Sequence, residues 1–317
     1  MSNNRSPLPG WVLIMLLLTG IIAISFSSIF IRWSQAPASV LAMYRLLLTS
    51  LFMLPFVIRT RPKLQRISRF DWIMMVVSGL FLALHFLFWM ESLRFTSVAS
   101  STILLALEPI FILAGAYWLF RERTTAKAVL GMSAAIAGAA LIGWGDIGIS
   151  GTALKGDLLS FLGTAAVAAH MLAGQSLAKR VPSLFYSLTV FSVAAVAFLF
   201  YNLATHVPLG GYSAQEWGIF LLLAIVPTVF GHVLFNWLLQ YVNAATVSMS
   251  VLGEPVGATL LAYLLLNESL NSVQAVAGLI IICGVWYFLR HNKVRYEDKP
   301  GAECKKTGSA AIPAQES

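Results

Sequence analysis

Long apolar runs alternate with short polar breaks ten times along this chain. The runs fall at about 11–31, 38–58, 71–92, 97–119, 126–145, 156–178, 184–204, 215–238, 245–266 and 273–290. A helix needs about 20 apolar residues to cross the hydrocarbon of a bilayer. The runs are continuously apolar and lack the period-two alternation of barrel strands, so the pattern predicts helices. The predicted fold class is an all-α integral membrane protein with ten transmembrane helices. Residues 1–10 are expected to be a cytoplasmic N-terminus. Residues 291–317 are polar and charged and are expected to form a disordered cytoplasmic tail. The first run is too long for a cleavable signal core, and no small-residue cleavage site stands out. It is read as a retained span.

Composition agrees with that pattern. Of 317 residues, 58% are hydrophobic and 11% charged, with mean hydropathy +0.81. Soluble proteins carry roughly a quarter charged residues. The net charge of +8 raises nucleic acid as a partner, but the placement of the charges excludes it. Lys and Arg cluster between apolar runs rather than on an amphipathic face. With the N-terminus cytoplasmic, the outer loops hold only Arg32, Arg94 and Lys155 of the 21 Lys and Arg, and Arg45 lies inside a span. The positive-inside bias therefore places both termini in the cytoplasm, and a multi-pass protein of the plasma membrane is expected. Cys283 lies in an apolar run and Cys304 in the tail. They form no metal-ligand spacing and no disulfide framework, so neither a metal nor another cofactor is expected.

The runs repeat as a set. Glu108-Pro109 and Glu254-Pro255 lie 146 residues apart, each inside a span, and another Glu follows fourteen positions later in both copies, at Glu122 and Glu268. The same offset matches Ala116 with Ala262, Tyr117 with Tyr263 and Leu119 with Leu265. Pro37 and Pro182 match at 145. The repeats span 11–145 and 156–290, with five helices each. Five is odd, so the second copy enters the membrane inverted. Two inverted five-helix repeats are typical of secondary transporters, with substrate bound near the midplane between halves.

Three segments carry a family resemblance: SLRFTSVASSTILLALEPIF with its closing LFRE, the weaker copy QYVNAATVSMSVLGEPVGATLLAYLLLNE, and MYRLLLTSLFMLP in the second span. With ten spans and short loops, the chain resembles the drug/metabolite transporter superfamily, specifically its EamA type, from residue 11 to about 290. The resemblance implies two EamA repeats and export or exchange of a small metabolite, amino acid-like or drug-like.

Several polar residues inside the spans are candidates for a substrate pathway or gate. Glu108 and Glu254 sit near mid-span, where a charged carboxylate costs on the order of 2.5–3.5 kcal/mol unless it faces a cavity or carries a proton. Pro109 and Pro255 each remove a backbone donor, which would free the carbonyls of Leu105 and Val251. The functional reading is a kinked helix facing the transport path. The structural reading is a Glu that bonds helix backbone and fixes the kink. His85 and Trp89 share one face of the third span, and His232 and Asn236 repeat that spacing one residue out of register. Each pair lines a cavity or packs between helices; His170 and Gln175 are weaker candidates of the same kind. Arg45 attracts an anionic group of substrate, pairs with a Glu, or snorkels to the interface. Gly253 with Gly257, and Gly131 with Ala135 and Gly138, read as close helix packing.

Other function classes fit less well. Gly143-Trp144-Gly145-Asp146 matches the GxGD of intramembrane aspartyl proteases, but no Tyr-Asp partner occurs in the chain. HExxH and a serine-nucleophile elbow are absent. The segment from Gly151 to Asp157 begins like a phosphate loop and lacks the Lys-Ser/Thr that contacts phosphate and metal. An enzyme or ATP-driven pump is therefore not expected, and a channel suits inverted repeats less well than a carrier. The expected partners are the lipid bilayer, a small-molecule substrate and protons as coupling ion through Glu108 or Glu254. A homodimer is left open.

Overall fold

A computed structural model describes residues 8–60, 67–92, 94–95, 104–143, 151–266, 272–292 and 295–296. Trp144 to Asp146, Glu268, Cys304, residues 1–7 of the predicted N-terminal segment and the tail beyond residue 296 lie outside the described residues. The protein is an all-α membrane protein. Its helices are α1 (Gly10–Trp33), α2 (Ala38–Thr60), α3 (Arg69–Ser92), α4 (Glu108–Phe120), α5 (Ala126–Gly143), α6 (Gly151–Leu177), α7 (Ser183–Ala204), α8 (Ala214–Leu238), α9 (Ala244–Val251), α10 (Glu254–Leu266) and α11 (Ser272–His291). Counting α9 and α10 as one span, seven described spans are long and apolar enough to cross a membrane, and three shorter apolar helices complete the ten. Beyond these, Glu122–Arg123 (β1) pairs antiparallel with Arg295–Tyr296 (β2), inside the segment predicted to be a tail.

The halves pack as a two-fold pair. Exchanging the repeats maps α1 to α6, α2 to α7, α3 to α8, α4 to α10 and α5 to α11. Under that exchange α2 packs on its counterpart α7, and α5 on α11. The other main contacts come in exchanged couples: α3 on α6 with α8 on α1, α3 on α7 with α8 on α2, and α4 on α6 with α10 on α1. Five spans per half with short connections make the two copies antiparallel across the membrane, so the repeat is inverted.

Lipid gives helices no hydrophobic reason to associate, so close backbone contact must supply the packing. The α5–α11 contact shows how. A Cβ added at Gly131 would meet the Phe288 amide at 2.7 Å and the Gly284 carbonyl at 2.8 Å. One added at Gly284 would meet the Gly131 carbonyl at 2.7 Å, and one at Gly138 the Ala277 carbonyl at 3.0 Å. Gly253 and Gly257 similarly admit α1, where Ile21 and Ser25 pack. The outer surfaces are apolar instead, with Phe56, Trp118, Leu130, Phe200 and Trp286 exposed.

Three helices depart from regularity where the sequence holds proline. The fourth and ninth spans are interrupted rather than kinked. Tight turns close before each Glu-Pro pair, with Leu107 N–H donating to the Leu104 carbonyl and Gly253 N–H to the Ser250 carbonyl. New helices then begin at Glu108 and Glu254, and Pro109 and Pro255 take second positions. A proline in the first helical turn has no bond to lose, which makes a break cheaper than a kink. The third departure is π-helical winding over Ala224–Val233 in α8, around Pro227.

Polar clusters tie the helix ends together on both faces. On one, Glu122 accepts from Gln175 Nε2 (2.8 Å) and Asn243 Nδ2 (3.2 Å), joining α4, α6 and α9. Asn243 also caps α9 through the Thr246 amide. On the other, Glu216 at the start of α8 accepts from Ser34 Oγ and from the Gln35 amide (2.7 Å), holding the α1–α2 turn.

Gly131→Leu and Gly284→Leu are expected to lower the thermal unfolding midpoint in detergent, since overpacking costs about 1–3 kcal/mol or more. Gly210→Ala, which has open space around it, should leave the midpoint unchanged.

Candidate functional site

Where the halves meet, one cavity of about 80 Å³ lies among the spans. That volume accommodates several waters or part of a small solute. Ten of its sixteen lining residues form five pairs related by the 146-residue offset: Ile24 with His170, Phe86 with His232, Trp89 with Phe235, Leu105 with Val251, and Glu108 with Glu254. Phe86 and His232 also touch each other, edge to face, with ring centroids 5.7 Å apart. Equivalent positions meet only on a symmetry axis, so the two-fold axis runs through this cavity.

The interrupted spans bring the carboxyls there. Glu108 and Glu254 are the first residues of α4 and α10, so each carboxyl sits at a helix N-terminus that favours negative charge. Both line the cavity. Glu108 is buried, and its Oε1 has no hydrogen-bond partner. The Ser25 hydroxyl donates to the Glu254 backbone carbonyl at 3.3 Å, which holds this restart against α1. Among the described residues no hydrogen bond reaches either carboxyl. Pro109 and Pro255 are buried behind the carboxyls and do not line the cavity.

Arg45 lies seven residues into α2, about 10 Å along it at the usual rise, and is 1% exposed. It does not snorkel, and no carboxyl among the described residues makes a contact salt bridge with it, although its charge and that of Glu254 act on each other across the cavity. Its Nε donates to Thr228 Oγ1 at 2.6 Å and its Nη1 to Ser27 Oγ at 3.2 Å. The guanidinium lies over the Phe86 ring, 4.7 Å from the centroid, a favourable face for a cation. Nη2 has no partner.

Thr228 owes its position to Pro227. That proline has no N–H for the Leu223 carbonyl four residues back, and an unpaired carbonyl inside a membrane costs several kcal/mol. The π-helical register passes that carbonyl to the Thr228 amide five residues on, and the Thr228 hydroxyl donates to it as well, at 2.7 Å. Thr49 likewise donates to the Ala224 carbonyl at 3.1 Å. The π-helical winding thus aims a hydroxyl oxygen at Arg45.

Two of the histidines, His85 and His170, are held by backbone. His85 Nδ1 donates to the Gly163 carbonyl (3.0 Å), and its ring stacks on Trp89. A Cβ at Gly163 would meet the Trp89 amide at 3.2 Å, so the glycine permits this approach of α6 to α3. His170 Nδ1 sits 3.2 Å from the Ser78 carbonyl and 2.9 Å from its hydroxyl, which also meets Tyr186 at 2.6 Å. Asn236 donates to Ser187 Oγ at 3.2 Å. Trp89 Nε1 is buried without a partner.

Of the residues singled out from sequence, Arg45, His85, Trp89, Glu108, His232, Asn236 and Glu254 line this one cavity, and His170 joins them. Gln175 does not; it belongs to the Glu122 cluster. The one-residue slip between the two histidine pairs is real. At the 146 offset His85 corresponds to Gly231, and Trp89 to Phe235. Sequence reasoning missed Ser27, Phe86 and Thr228. Only Pro227, a third mid-span proline, signalled the last of these.

Residues 11–144 and 154–290 match the sequence profile described as the EamA-like transporter family. No curated protein matches at a significant level. A solved structure titled only "Crystal structure of protein" is similar in fold, with TM-score 0.74 and 18% identity, covering 87% of this chain and 96% of that one.

Thr228→Val is expected to strand the Arg45 Nε donor. Leaving a buried polar group unsatisfied costs about 1–3 kcal/mol, read as a lower thermal midpoint. Thr228→Ser, which keeps the hydroxyl, should retain most of the stability.

Proposed function

The chain belongs to the EamA-like transporter family, and from that premise we propose that it is a secondary carrier exporting a small amino acid-like or drug-like metabolite by alternating access. It is a multi-pass membrane transporter of the drug/metabolite type. The observation that carries the finer reading is the cavity on the two-fold axis. A site shared by two inverted halves faces either side of the membrane with the same walls when the halves rock. Its two carboxyls stand on helix breaks, where small backbone changes cost least. The Glu122 cluster and the Glu216 cluster lie at opposite helix ends. Each is made of hydrogen bonds that a rocking motion exchanges for water, so either end is able to part without exposing an uncompensated charge.

The remaining elements follow from the sequence. The distribution of Lys and Arg supports cytoplasmic termini in the plasma membrane. Glu108 and Glu254, with His85, His170 and His232 beside them, are groups in the path able to carry a proton, which supports proton coupling. The chain has no nucleotide-binding motif, so a proton gradient or the cargo's own gradient supplies the driving force. No step on this path makes or breaks a covalent bond of the cargo.

The cargo is identified by comparing metabolites released by cells with and without the protein. In proteoliposomes its flux is expected to saturate and to show counterflow. Unsaturable conductance of single-channel size contradicts a carrier and favours a channel. In the same assay Glu108→Gln and Glu254→Gln should alter the pH dependence of flux while expression is retained. Normal pH dependence in both well-expressed variants removes proton coupling.

A further inference from the structure

A second motif repeats between the halves, at an offset of 145 residues. Ser68-Arg69-Phe70-Asp71-Trp72 and Ser213-Ala214-Gln215-Glu216-Trp217 share a serine, an acid three positions later and a tryptophan after it. Each motif opens a helix, α3 or α8. Each serine hydroxyl accepts from the amide of its own acid, at 3.1 Å for Asp71 and 3.3 Å for Glu216. A serine and an acid at this spacing form a common helix-start device, which accounts for the first turn of each helix. It does not account for where the acids reach next.

Both acids cross to the other half. Asp71 Oδ1 meets Arg180 Nη1 at 2.8 Å, in the turn between α6 and α7. Glu216 accepts from Ser34 Oγ and from the Gln35 amide (2.7 Å), in the turn between α1 and α2. These are the same turn of the two repeats, since Gln35 with Arg180 and Pro37 with Pro182 also keep the 145 offset. The tryptophans follow the acids. Trp72 packs edge-on against Phe185 of α7, with centroids 5.6 Å apart, and Trp217 packs against Tyr44 of α2 at 4.8 Å. One contact between halves is thus built twice. Two spans precede α3 and seven precede α8, so the first copy lies on the face of the chain termini and the second on the opposite face.

The copies differ in one charge. Gln35 offers Glu216 a backbone amide, whereas Arg180 offers Asp71 a cation. Arg180 is also held in place, with Nη2 donating to the Ser176 carbonyl at 3.2 Å and the guanidinium 6.0 Å from the centre of the Phe70 ring. Both acids are buried, at 4% and 8% exposure, while the Arg180 side chain is 47% exposed. Salt therefore reaches the Asp71 contact through its arginine. The Glu216 contact is made with neutral donors.

We propose that these two contacts are the latches of the carrier. Asp71 with Arg180 holds shut the face of the termini, Glu216 with the α1–α2 turn holds shut the opposite face, and only the first latch weakens as ionic strength rises. The proposal rests on the alternating-access reading and names the residues that set which face opens. When the halves rock, contacts between them at one end must part while those at the other stay closed.

The test compares how fast a membrane-impermeant thiol reagent labels Val167→Cys, in protein lacking Cys283 and Cys304, from each face of oriented proteoliposomes. Arg180→Gln is expected to raise the ratio of labelling from the terminal face to labelling from the other face about two- to fivefold, the scale of one half-exposed ion pair. Ser34→Ala removes a donor from the other latch and should lower that ratio by a similar factor. Raising the salt in both compartments from about 0.01 M to about 1 M shortens the screening length about tenfold. It should move the unaltered latches as Arg180→Gln does, and leave Arg180→Gln itself unmoved. If Ser34→Ala does not fold, Arg180→Gln and the salt series decide. Labelling from both faces with a ratio that Arg180→Gln leaves unchanged, or that both variants move in the same direction, overturns the latches alone. Labelling confined to one face in every protein overturns the alternating-access reading, and the latches with it.

Discussion

A guanidinium buried inside the membrane is the constraint around which the structure is arranged. An arginine at the centre of a span costs about 2.5–3.5 kcal/mol on insertion scales unless its donors find partners. Arg45 is 1% exposed, so those partners must be protein or cargo. Meeting that requirement recruits α1 through Ser27, α3 through Phe86 and α8 through Thr228. Helices of both halves thereby converge on one side chain. The π-helical stretch of α8, the proline within it and the hydroxyl it positions all serve this contact.

The frame is symmetric and the chemistry is not. Equivalent helices pack equivalently, and five lining pairs obey the repeat. Symmetry lets one cavity wall serve both faces of the membrane. Yet the repeat keeps only the Glu pair alike in charge. Phe86 faces His232, Trp89 corresponds to Phe235, and Arg45 corresponds to Phe191. A duplicated scaffold has thus diverged at the residues that would meet a solute, while Gly131 and Gly284 hold α5 against α11 away from the cavity.

The spans, their number and the inverted repeat were legible because hydropathy and short-range spacing encode them directly. Arg45, the histidines and the two carboxyls stood out as candidates, since polar side chains in hydrocarbon have few places to go, but their meeting at one cavity was not legible. The form of the Glu-Pro breaks was not legible. A proline signals a lost bond, but whether the chain kinks or restarts depends on whether tight turns close upstream, as they do at Leu107 and Gly253. Thr228 was hidden for a related reason. A threonine in a span usually bonds its own helix, and only the π-helical winding around Pro227 and the approach of α2 give it a second role. Gln175 was misplaced because helical position alone does not separate a cavity face from a helix-end cluster.

The central claim is that the cavity on the two-fold axis opens in turn to each side of the membrane. The most direct measurement replaces Cys283 and Cys304, introduces Val167→Cys in the cavity wall, and labels oriented proteoliposomes with a membrane-impermeant thiol reagent from one side at a time. The account predicts labelling from both sides, with bound cargo slowing both. Labelling from one side only, or from neither, contradicts it.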